Sequence, residues 1–252
     1  MRAANPHQAS KPVATDALLA RLTSAPAEAG LFLDFDGVLA PIVPRPEDAY
    51  PPAKTRVELE RLVVRYALVG VVSGRAGEDV RARVGVEGIV YVGSHGLELN
   101  PEAERWRQRI RDFASSVAWA DDQTELKGLT ISFHFHEAAD ERAAVRALEA
   151  IAARATDEGL VARFGRKVLE VLPPIGSNKG TAVRHLLDGA GLKRALVAGD
   201  DTTDIDAFRA VDGMDGAVRV AVVSKESPDV LREYADIVVE STDEFLDLLR
   251  RL

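Results

Sequence analysis

The stretch LFLDFDGVLAPI, residues 31–42, places two aspartates, Asp34 and Asp36, directly after a run of apolar residues. The apolar residues are continuous rather than alternating, which is typical of a parallel strand covered on both faces. Side chains at the carboxyl end of such a strand lie where open α/β sheets bind their ligands. The stretch therefore predicts a buried strand that brings two acids to a ligand-binding edge.

Similar apolar runs alternate with helical patterns along the chain. They predict further buried strands at 67–73, 88–94, 195–200, 217–223 and 235–240. Helices are predicted at 53–65, 178–190 and 241–252. The last begins with Ser241-x-x-Glu244, a capping-box pattern, and continues with apolar residues at helical spacing. This alternation predicts an α/β fold, a doubly wound parallel sheet with right-handed crossovers.

The middle of the chain follows a different order. A helical stretch at 103–119 leads to a strand at 128–136, a helix at 138–155 and two strand-like runs around Gly165. This order predicts a small α+β cap inserted into the sheet domain. We expect the core at 15–99 and 176–252, the cap at 100–175, and a disordered tail at 1–14. Asp16 is expected to cap a short helix through Leu22.

Composition narrows the class of protein. The chain has 252 residues and a formal net charge of −8, with no basic block, which argues against nucleic acid and membrane partners. Its N-terminus lacks the pattern of a secretory signal, and no stretch is long enough to span a bilayer. Cysteine is absent, which excludes disulfides and thiolate zinc sites. A cytoplasmic location is the simplest expectation, and the sequence indicates no oligomeric state.

Four polar clusters fall at predicted strand ends or at a helix start. They are Asp34-Phe35-Asp36-Gly37, Ser73-Gly74-Arg75, Lys179 in SNKG, and GDDTTDID (199–206) with Asp200, Asp201, Asp204 and Asp206. Carboxylates aimed at one edge repel one another and need a cation to be stable together. Hard oxygen donors favour Mg²⁺, and a lysine and a hydroxyl nearby suit phosphate oxygens. The residue types therefore predict a site for Mg²⁺ and a phosphate.

The four clusters, in this order, resemble the motifs of the haloacid dehalogenase-like (HAD) phosphatases. Three further stretches, GSHGLE (93–98), KGLTISFH (127–134) and GRKVLEVLP (165–173), are similar to those of trehalose-6-phosphate phosphatases. In that family a substrate-binding cap lies between the second and third motifs. The resemblance implies an Mg²⁺-dependent phosphatase that hydrolyses a small sugar phosphate, trehalose 6-phosphate, in trehalose biosynthesis.

The resemblance also implies roles for the core residues. Asp34 would be the nucleophile and would form an aspartyl-phosphate. Asp36 would protonate the leaving sugar oxygen and later accept a proton from the attacking water. Ser73 would hydrogen-bond a phosphate oxygen, and Lys179 would offset the charge of the phosphate and of Asp34.

A ligand set for the metal follows from the same resemblance. Mg²⁺ would be bound by Asp34, the backbone carbonyl of Asp36, and Asp200. Asp201 and Asp204 would orient waters or the lysine, or else merely cap the helix near 202.

The substrate-binding residues implied by the resemblance are Gly74, Arg75, His95, Lys127, His134, Lys167 and Glu170. Arg75 either binds substrate or pairs with an acid, and Glu170 suits a bidentate grip on a vicinal diol. His134 and His136 share one face of the predicted cap strand, and contact with substrate or packing is favoured over zinc because no third ligand is apparent.

Three residues depart from the family pattern. Val38 stands where the family usually has Thr, His136 where it often has Arg, and Leu172 where it has the Arg of EVRP. The departures leave the core chemistry intact and leave the exact sugar open.

Other functions remain compatible with parts of this pattern. One is a phosphatase for another sugar or polyol phosphate on the same scaffold. A phosphomutase would have to retain its phosphate between half-reactions, and nothing indicates that. A non-catalytic sugar-phosphate sensor is disfavoured because a binding module needs neither a nucleophile like Asp34 nor an acid like Asp36.

Overall fold

The computed structural model of the chain describes residues 11–135, 138, 140–165, 167–224 and 227–252, with no side-chain detail for residues 11–14. His136 and residues 1–10 of the predicted tail lie outside these ranges. Within them, no helix has both the length and the apolar character needed to cross a membrane.

The described residues form two separate sheets. The strands, in chain order, are β1 (Ala29–Leu33), β2 (Leu68–Val72), β3 (Val90–Val92), β4 (Thr124–Leu126), β5 (Ile131–His134), β6 (Val161–Gly165), β7 (Val168–Leu172), β8 (Arg194–Gly199), β9 (Gly216–Val222) and β10 (Ile237–Val239). The helices are α1 (Lys11–Thr23), α2 (Ala53–Arg65), α3 (Gly77–Val84), α4 (Arg107–Ser116), α5 (Glu141–Asp157), α6 (Lys179–Ala190), α7 (Thr203–Arg209), α8 (Asp229–Tyr234) and α9 (Thr242–Arg250).

The larger sheet is parallel throughout, in the order β10-β9-β8-β1-β2-β3. Every residue of β1 is buried, because helices cover both faces of the sheet. Leu31 and Leu33 enter one apolar cluster with residues of α1, α2 and α9, whereas Phe32 enters the cluster on the other face with α6, α7 and α8. The predicted doubly wound α/β core is confirmed.

The order of the strands reverses direction at β1. The chain moves outward on one side through β2 and β3, and on the other side through β8, β9 and β10. Such a switch point opens a crevice beyond the carboxyl ends of the two central strands. Asp34 directly follows β1 and Asp200 directly follows β8, so the topology alone brings these two carboxylates together.

The smaller sheet is antiparallel, in the order β4-β5-β7-β6. One face packs on α4 and α5 through buried residues such as Phe113, Phe133 and Leu148. The predicted inserted α+β cap is thus present. Its helices and strands run from Ala103 to Leu172. The domain bounds of 100–175 stay a prediction. No pattern in the sequence predicted β4, a short strand with two half-buried residues and an exposed Leu126.

The chain passes between the two sheets at two adjacent places. Leu97, Ala103, Leu129 and Leu172 form a small buried apolar cluster there. Leu172, one of the departures from the family pattern, therefore packs at this junction and is 3% exposed.

Two details at helix starts differ from expectation. Helix α1 begins at Lys11, so it includes residues 11–14 of the predicted tail, and Asp16 lies inside the helix rather than at its N-cap. At α9, Ser241 Oγ accepts from the Glu244 N–H as expected, but the Glu244 carboxylate accepts from the N–H of Glu240, one residue before the cap.

Candidate active site

A tight turn after β1 positions Asp34. Its N–H extends the strand ladder by donating to Ala198 O over 3.0 Å, and its Oδ1 accepts from the Phe35 N–H over 2.7 Å. Gly37 follows with φ +74°, and a Cβ at this position would lie 2.2 Å from Asp200 Oδ2. Glycine is therefore required here both for the backbone conformation and for the approach of the second carboxylate.

Lys179 is held between two carboxylates in the floor of the site. It is the first residue of α6, whose N-terminus is capped by Asn178. The lysine is 3% exposed, and its Nζ lies 2.7 Å from Asp34 Oδ2 and 2.6 Å from Asp204 Oδ1. A buried ammonium requires such partners, because a charge without them would be costly in the protein interior.

Asp204 connects this lysine to the loop after β8. Its Oδ2 accepts from the N–H groups of Asp200 and Asp201 over 2.9 and 3.1 Å. Asp201 instead accepts from the N–H of its neighbour Thr202 over 2.6 Å. Asp204 thus fixes both the lysine and the loop, which agrees with the prediction that it orients Lys179 rather than capping the helix.

The carboxylates form a candidate cation site. Oxygens of Asp34, Asp200 and Asp204 all lie within 4.8 Å of one another. Burial, opposed by Lys179, raises the pKa of Asp34 to about 8, and burial together with Asp34 and Asp204 raises the pKa of Asp200 well above its ordinary value. Burial alone would lower the pKa of Lys179, but Asp204 and Asp34 outweigh it and raise this pKa. Crowded hard oxygen donors of this kind fit a divalent cation such as Mg²⁺.

Asp36 is paired with Arg75. Arg75 Nε donates to Asp36 Oδ2 over 2.7 Å, and Arg75 Nη2 donates to Oδ1 over 2.8 Å. The guanidinium also lies over the Phe35 ring and 3.4 Å from Asp79. Burial would lower the pKa of Arg75, but Asp36, and in addition the charges of Glu125 and Asp79, raise it. The structure shows Arg75 paired with an acid, and its other predicted role, substrate binding, stays a prediction.

The loops after β2 and β3 hold each other in place. Ser73 N–H donates to Val92 O, and His95 N–H donates to Ser73 O, both over 2.9 Å. A Cβ on Gly74 would lie 2.7 Å from the His95 ring, so the ring packs directly on this glycine. His95 itself adopts φ +54°. This packing places Ser73 and His95 at the same edge as Asp34.

A cavity of about 690 Å³ lies between the two sheets. From the core it is lined by Asp34, Asp36, Ser73, Gly74, Arg75, His95, Lys179, Asp200 and Asp201. From the cap it is lined by Glu125, Lys127, Ser132, His134, Arg163 and Glu170. The geometry therefore brings nearly all of the sequence-predicted site residues to one space.

Polar residues form a row across the cap sheet. Glu125 is opposite Ser132, Ser132 is opposite Glu170, and Glu170 is opposite Arg163 in the strand register. Residues directly opposite in neighbouring strands lie on the same face of a sheet. The cavity lies against the face that carries these four residues. We call these four residues the polar row.

Ion pairs connect the polar row to its surroundings. His95 Nε2 lies 3.1 Å from Glu170 Oε2 and thus joins the core to the cap, while His134 Nε2 lies 3.2 Å from Glu125 Oε2. Lys127 lies 3.6 Å from Glu125 and 4.0 Å from Glu170. Burial opposes the charge of Glu170, but His95 and Lys127 outweigh it and lower its pKa to about 2; His134 and Lys127 likewise lower that of Glu125 to about 2.

Two residues named in the sequence analysis lie outside the cavity lining, and three residues that line the cavity were not predicted. Lys167 is not part of the cavity lining; its Nζ pairs with Glu141 at the start of α5, 3.1 Å away. Val38 is 1% exposed, packs in the apolar core and does not line the cavity. Sequence reasoning missed Glu125, Ser132 and Arg163, of which the last could have been found by pairing residues across the 165–168 hairpin.

The fold and the clustered acids define a class of protein. A parallel sheet with Asp34 after its central strand, with Lys179 and Asp200 beside it and an inserted antiparallel cap, is the arrangement of the HAD-like hydrolases. Such a hydrolase from Bacteroides thetaiotaomicron superposes with a TM-score of 0.57 over 89% of this chain and 99% of that chain, at 14% identity. The C-terminal domain of trehalose-6-phosphate phosphatase from C. albicans superposes with a TM-score of 0.74 over 93% of this chain and 95% of that one, at 21% identity.

The sequence comparisons define the family more narrowly. The trehalose-phosphatase family model matches residues 32–235, and the chain belongs to that family. It is 33% identical to a trehalose-phosphate phosphatase of Mycobacterium marinum over 250 residues, which is 91% of this chain and 62% of that protein. The chain thus spans about three fifths of the length of this curated relative.

The position of Asp204 leads to a stability prediction. Replacing Asp204 by Asn removes the charge that pairs with a buried ammonium and puts an NH2 group where either Lys179 or the backbone N–H groups of Asp200 and Asp201 need an acceptor, and we expect it to lower the free energy of unfolding by about 2–4 kcal/mol. The matched variant Asp201→Asn weakens only contacts to Thr202 and should cost less than about 1 kcal/mol. Urea unfolding of the metal-free proteins measures both, and equal losses would contradict the assigned difference.

Glu170 leads to a prediction about acid stability. Its pKa of about 2 lies below the ordinary value of 4.5, so its contribution to stability is present above pH 4.5 and is lost as the pH falls toward 2. We expect Glu170→Gln to flatten the loss of unfolding free energy in this range, whereas Glu141→Gln, on the surface, should not. Urea unfolding at a series of pH values tests this, and parallel profiles for wild type and Glu170→Gln would refute it.

Proposed function

We propose that this chain is an Mg²⁺-dependent phosphatase that hydrolyses trehalose 6-phosphate to trehalose and phosphate. One observation carries the proposal. The buried Asp34, held by Lys179 and close to Asp200, opens into a cavity whose opposite wall is a sheet face of charged and polar side chains. The group of Asp34, Lys179 and Asp200 suits a phosphate, and the charged and polar sheet face of the cap suits sugar hydroxyls. The M. marinum relative is named for the same substrate.

Asp34 is the proposed nucleophile. One of its carboxylate oxygens attacks phosphorus, forms an aspartyl-phosphate, and the bond from phosphorus to the sugar oxygen breaks. Water then attacks the phosphorus of this intermediate and releases phosphate, with Asp34 restored. Lys179 favours this reaction because its charge stabilises the carboxylate and the phosphoryl oxygens together.

The donor set fits the proposed metal. Asp34, the backbone carbonyl of Asp36 and Asp200 would hold Mg²⁺, while Asp204 positions Lys179 and the loop after β8 beside them. When bound, the ion supplies positive charge that offsets the carboxylates and the phosphate. The raised pKa values of Asp34 and Asp200 agree with a cluster that lacks sufficient positive charge without it.

Asp36 is the proposed proton carrier. It protonates the leaving sugar oxygen in the first step and accepts a proton from water in the second. In the structure both of its oxygens accept hydrogen bonds from Arg75. The pair must therefore loosen before Asp36 can carry a proton, and an incoming phosphate that attracts Arg75 would promote this.

The cap residues suit the sugar. Glu170 is 7% exposed, and its Oε1 has no hydrogen-bond donor among the described residues, although Lys127 lies 4.0 Å away. A buried carboxylate oxygen in this state is costly unless a ligand donates to it. A sugar hydroxyl at the cavity wall would supply that donor, and Lys127 would donate to a neighbouring hydroxyl.

A panel of sugar phosphates tests this function. We expect phosphate release from trehalose 6-phosphate to exceed that from glucose 6-phosphate and from polyol phosphates, to stop with EDTA and to return with added Mg²⁺. Asp34→Asn should lower kcat at least about 10³-fold, since an amide is a poor nucleophile toward phosphorus. The matched change Asp206→Asn, on the outer part of α7, should leave kcat unchanged.

Two outcomes would count against the proposal in different ways. Equal rates with trehalose 6-phosphate and glucose 6-phosphate would contradict the substrate and favour a phosphatase of broader or different specificity. Full activity of Asp34→Asn would contradict the mechanism.

A further inference from the structure

The structure points to Arg163 as a specificity-determining residue. We propose that its guanidinium donates hydrogen bonds to hydroxyls of the sugar unit that carries no phosphate, so that it selects a disaccharide phosphate over a monosaccharide phosphate. This inference rests on the proposed function and names a residue for which the motif pattern assigns no role.

The position of Arg163 supports this assignment. It lies on the edge strand β6, directly opposite Glu170, and ends the polar row on the cavity side. Glu125, at the other end of the row, is near enough to the phosphate side for its charge to act on Arg75. Three strand spacings separate the ends of the row, about 14 Å. The row is thus long enough to lie along two sugar rings.

The hydrogen-bonding state of Arg163 is the second observation. A guanidinium has five N–H donors and no acceptor. Arg163 is half-buried, and within the described ranges it makes no hydrogen bond and no ion pair. The other two charged members of the row do have partners, His134 for Glu125 and His95 for Glu170. The donors of Arg163 therefore remain available to a ligand in the cavity.

Glu170 completes the argument. Its buried Oε1 needs a donor, and Arg163 across the strand pair offers donors to an acceptor. The charge of Arg163 helps to lower the pKa of Glu170, but the two side chains form no ion pair within 4.0 Å, so neither satisfies the hydrogen bonding of the other. A sugar hydroxyl can donate to one and accept from the other at the same time. The pair is thus complementary to a hydroxylated ring rather than to an apolar or anionic group.

A purely structural role offers a competing explanation. A charged residue on an edge strand can protect the sheet from pairing with another chain. Such a role would not depend on the substrate, whereas a specificity role must affect a disaccharide phosphate and spare a small phosphate ester.

The test compares Arg163→Gln with the wild-type enzyme on two substrates. We expect kcat/KM for trehalose 6-phosphate to fall about 10- to 100-fold, mostly through KM, because a charge-assisted hydrogen bond to the substrate is lost. With p-nitrophenyl phosphate, which carries no sugar hydroxyls, kcat/KM should stay within about twofold. Arg163→Lys should recover part of the loss on trehalose 6-phosphate. The matched variant Arg146→Gln, exposed on α5, should change neither substrate.

Each other outcome overturns the inference. An equal fall on both substrates would show a structural role, and no fall on trehalose 6-phosphate would show that Arg163 does not contact the sugar. Failure of the proposed function gives a different result, because the wild-type enzyme itself would then not prefer trehalose 6-phosphate. In that case this inference would also fail.

Discussion

The buried ammonium of Lys179 is the constraint on which the site depends. It lies within 2.7 Å of Asp34 and 2.6 Å of Asp204, and the second of these also holds the backbone of the loop after β8. Three elements that are far apart in sequence, β1, α6 and α7, therefore meet at one charge. Because the lysine is buried, neither carboxylate can move away without leaving a charge unpaired. The same cluster carries more negative than positive charge, which makes it receptive to a cation.

The cap supplies a second kind of recognition. Its cavity face carries both acidic and basic side chains, most of them paired, and His95 of the core reaches across to Glu170 of the cap. In the proposed function, phosphate binding and sugar binding therefore belong to different sheets, with this contact between them. With such a division, contacts to the sugar can stabilise the transition state at the reacting phosphate. A larger substrate that makes these contacts would then react faster than a smaller one.

Much of this architecture could be predicted from local sequence, and the exceptions have physical reasons. The strands that end near Asp34 and Asp200 are continuous apolar runs, which is the sequence pattern of parallel strands buried on both faces. By contrast, β4 has only three residues, two half-buried and one exposed, without a periodic pattern, and its existence depends on pairing with β5. Lys167 adopts φ +51° in the hairpin turn and pairs with Glu141, so its motif position does not fix where its side chain goes. Likewise, the contact of Arg75 with Asp36 joins two loops 39 positions apart, which no local pattern reveals.

The central claim is that Asp34 receives the phosphoryl group while Asp36 moves the proton. An Asp36→Ala enzyme mixed with p-nitrophenyl phosphate and Mg²⁺ tests this most directly, because an activated leaving group needs no acid and only the attack of water needs the missing base. The account predicts a stoichiometric burst of nitrophenolate, with the phosphoryl group found on Asp34 after rapid acid quench and peptide mass spectrometry. A burst with the phosphoryl group on another residue, or steady turnover without any phosphorylated enzyme, would contradict it.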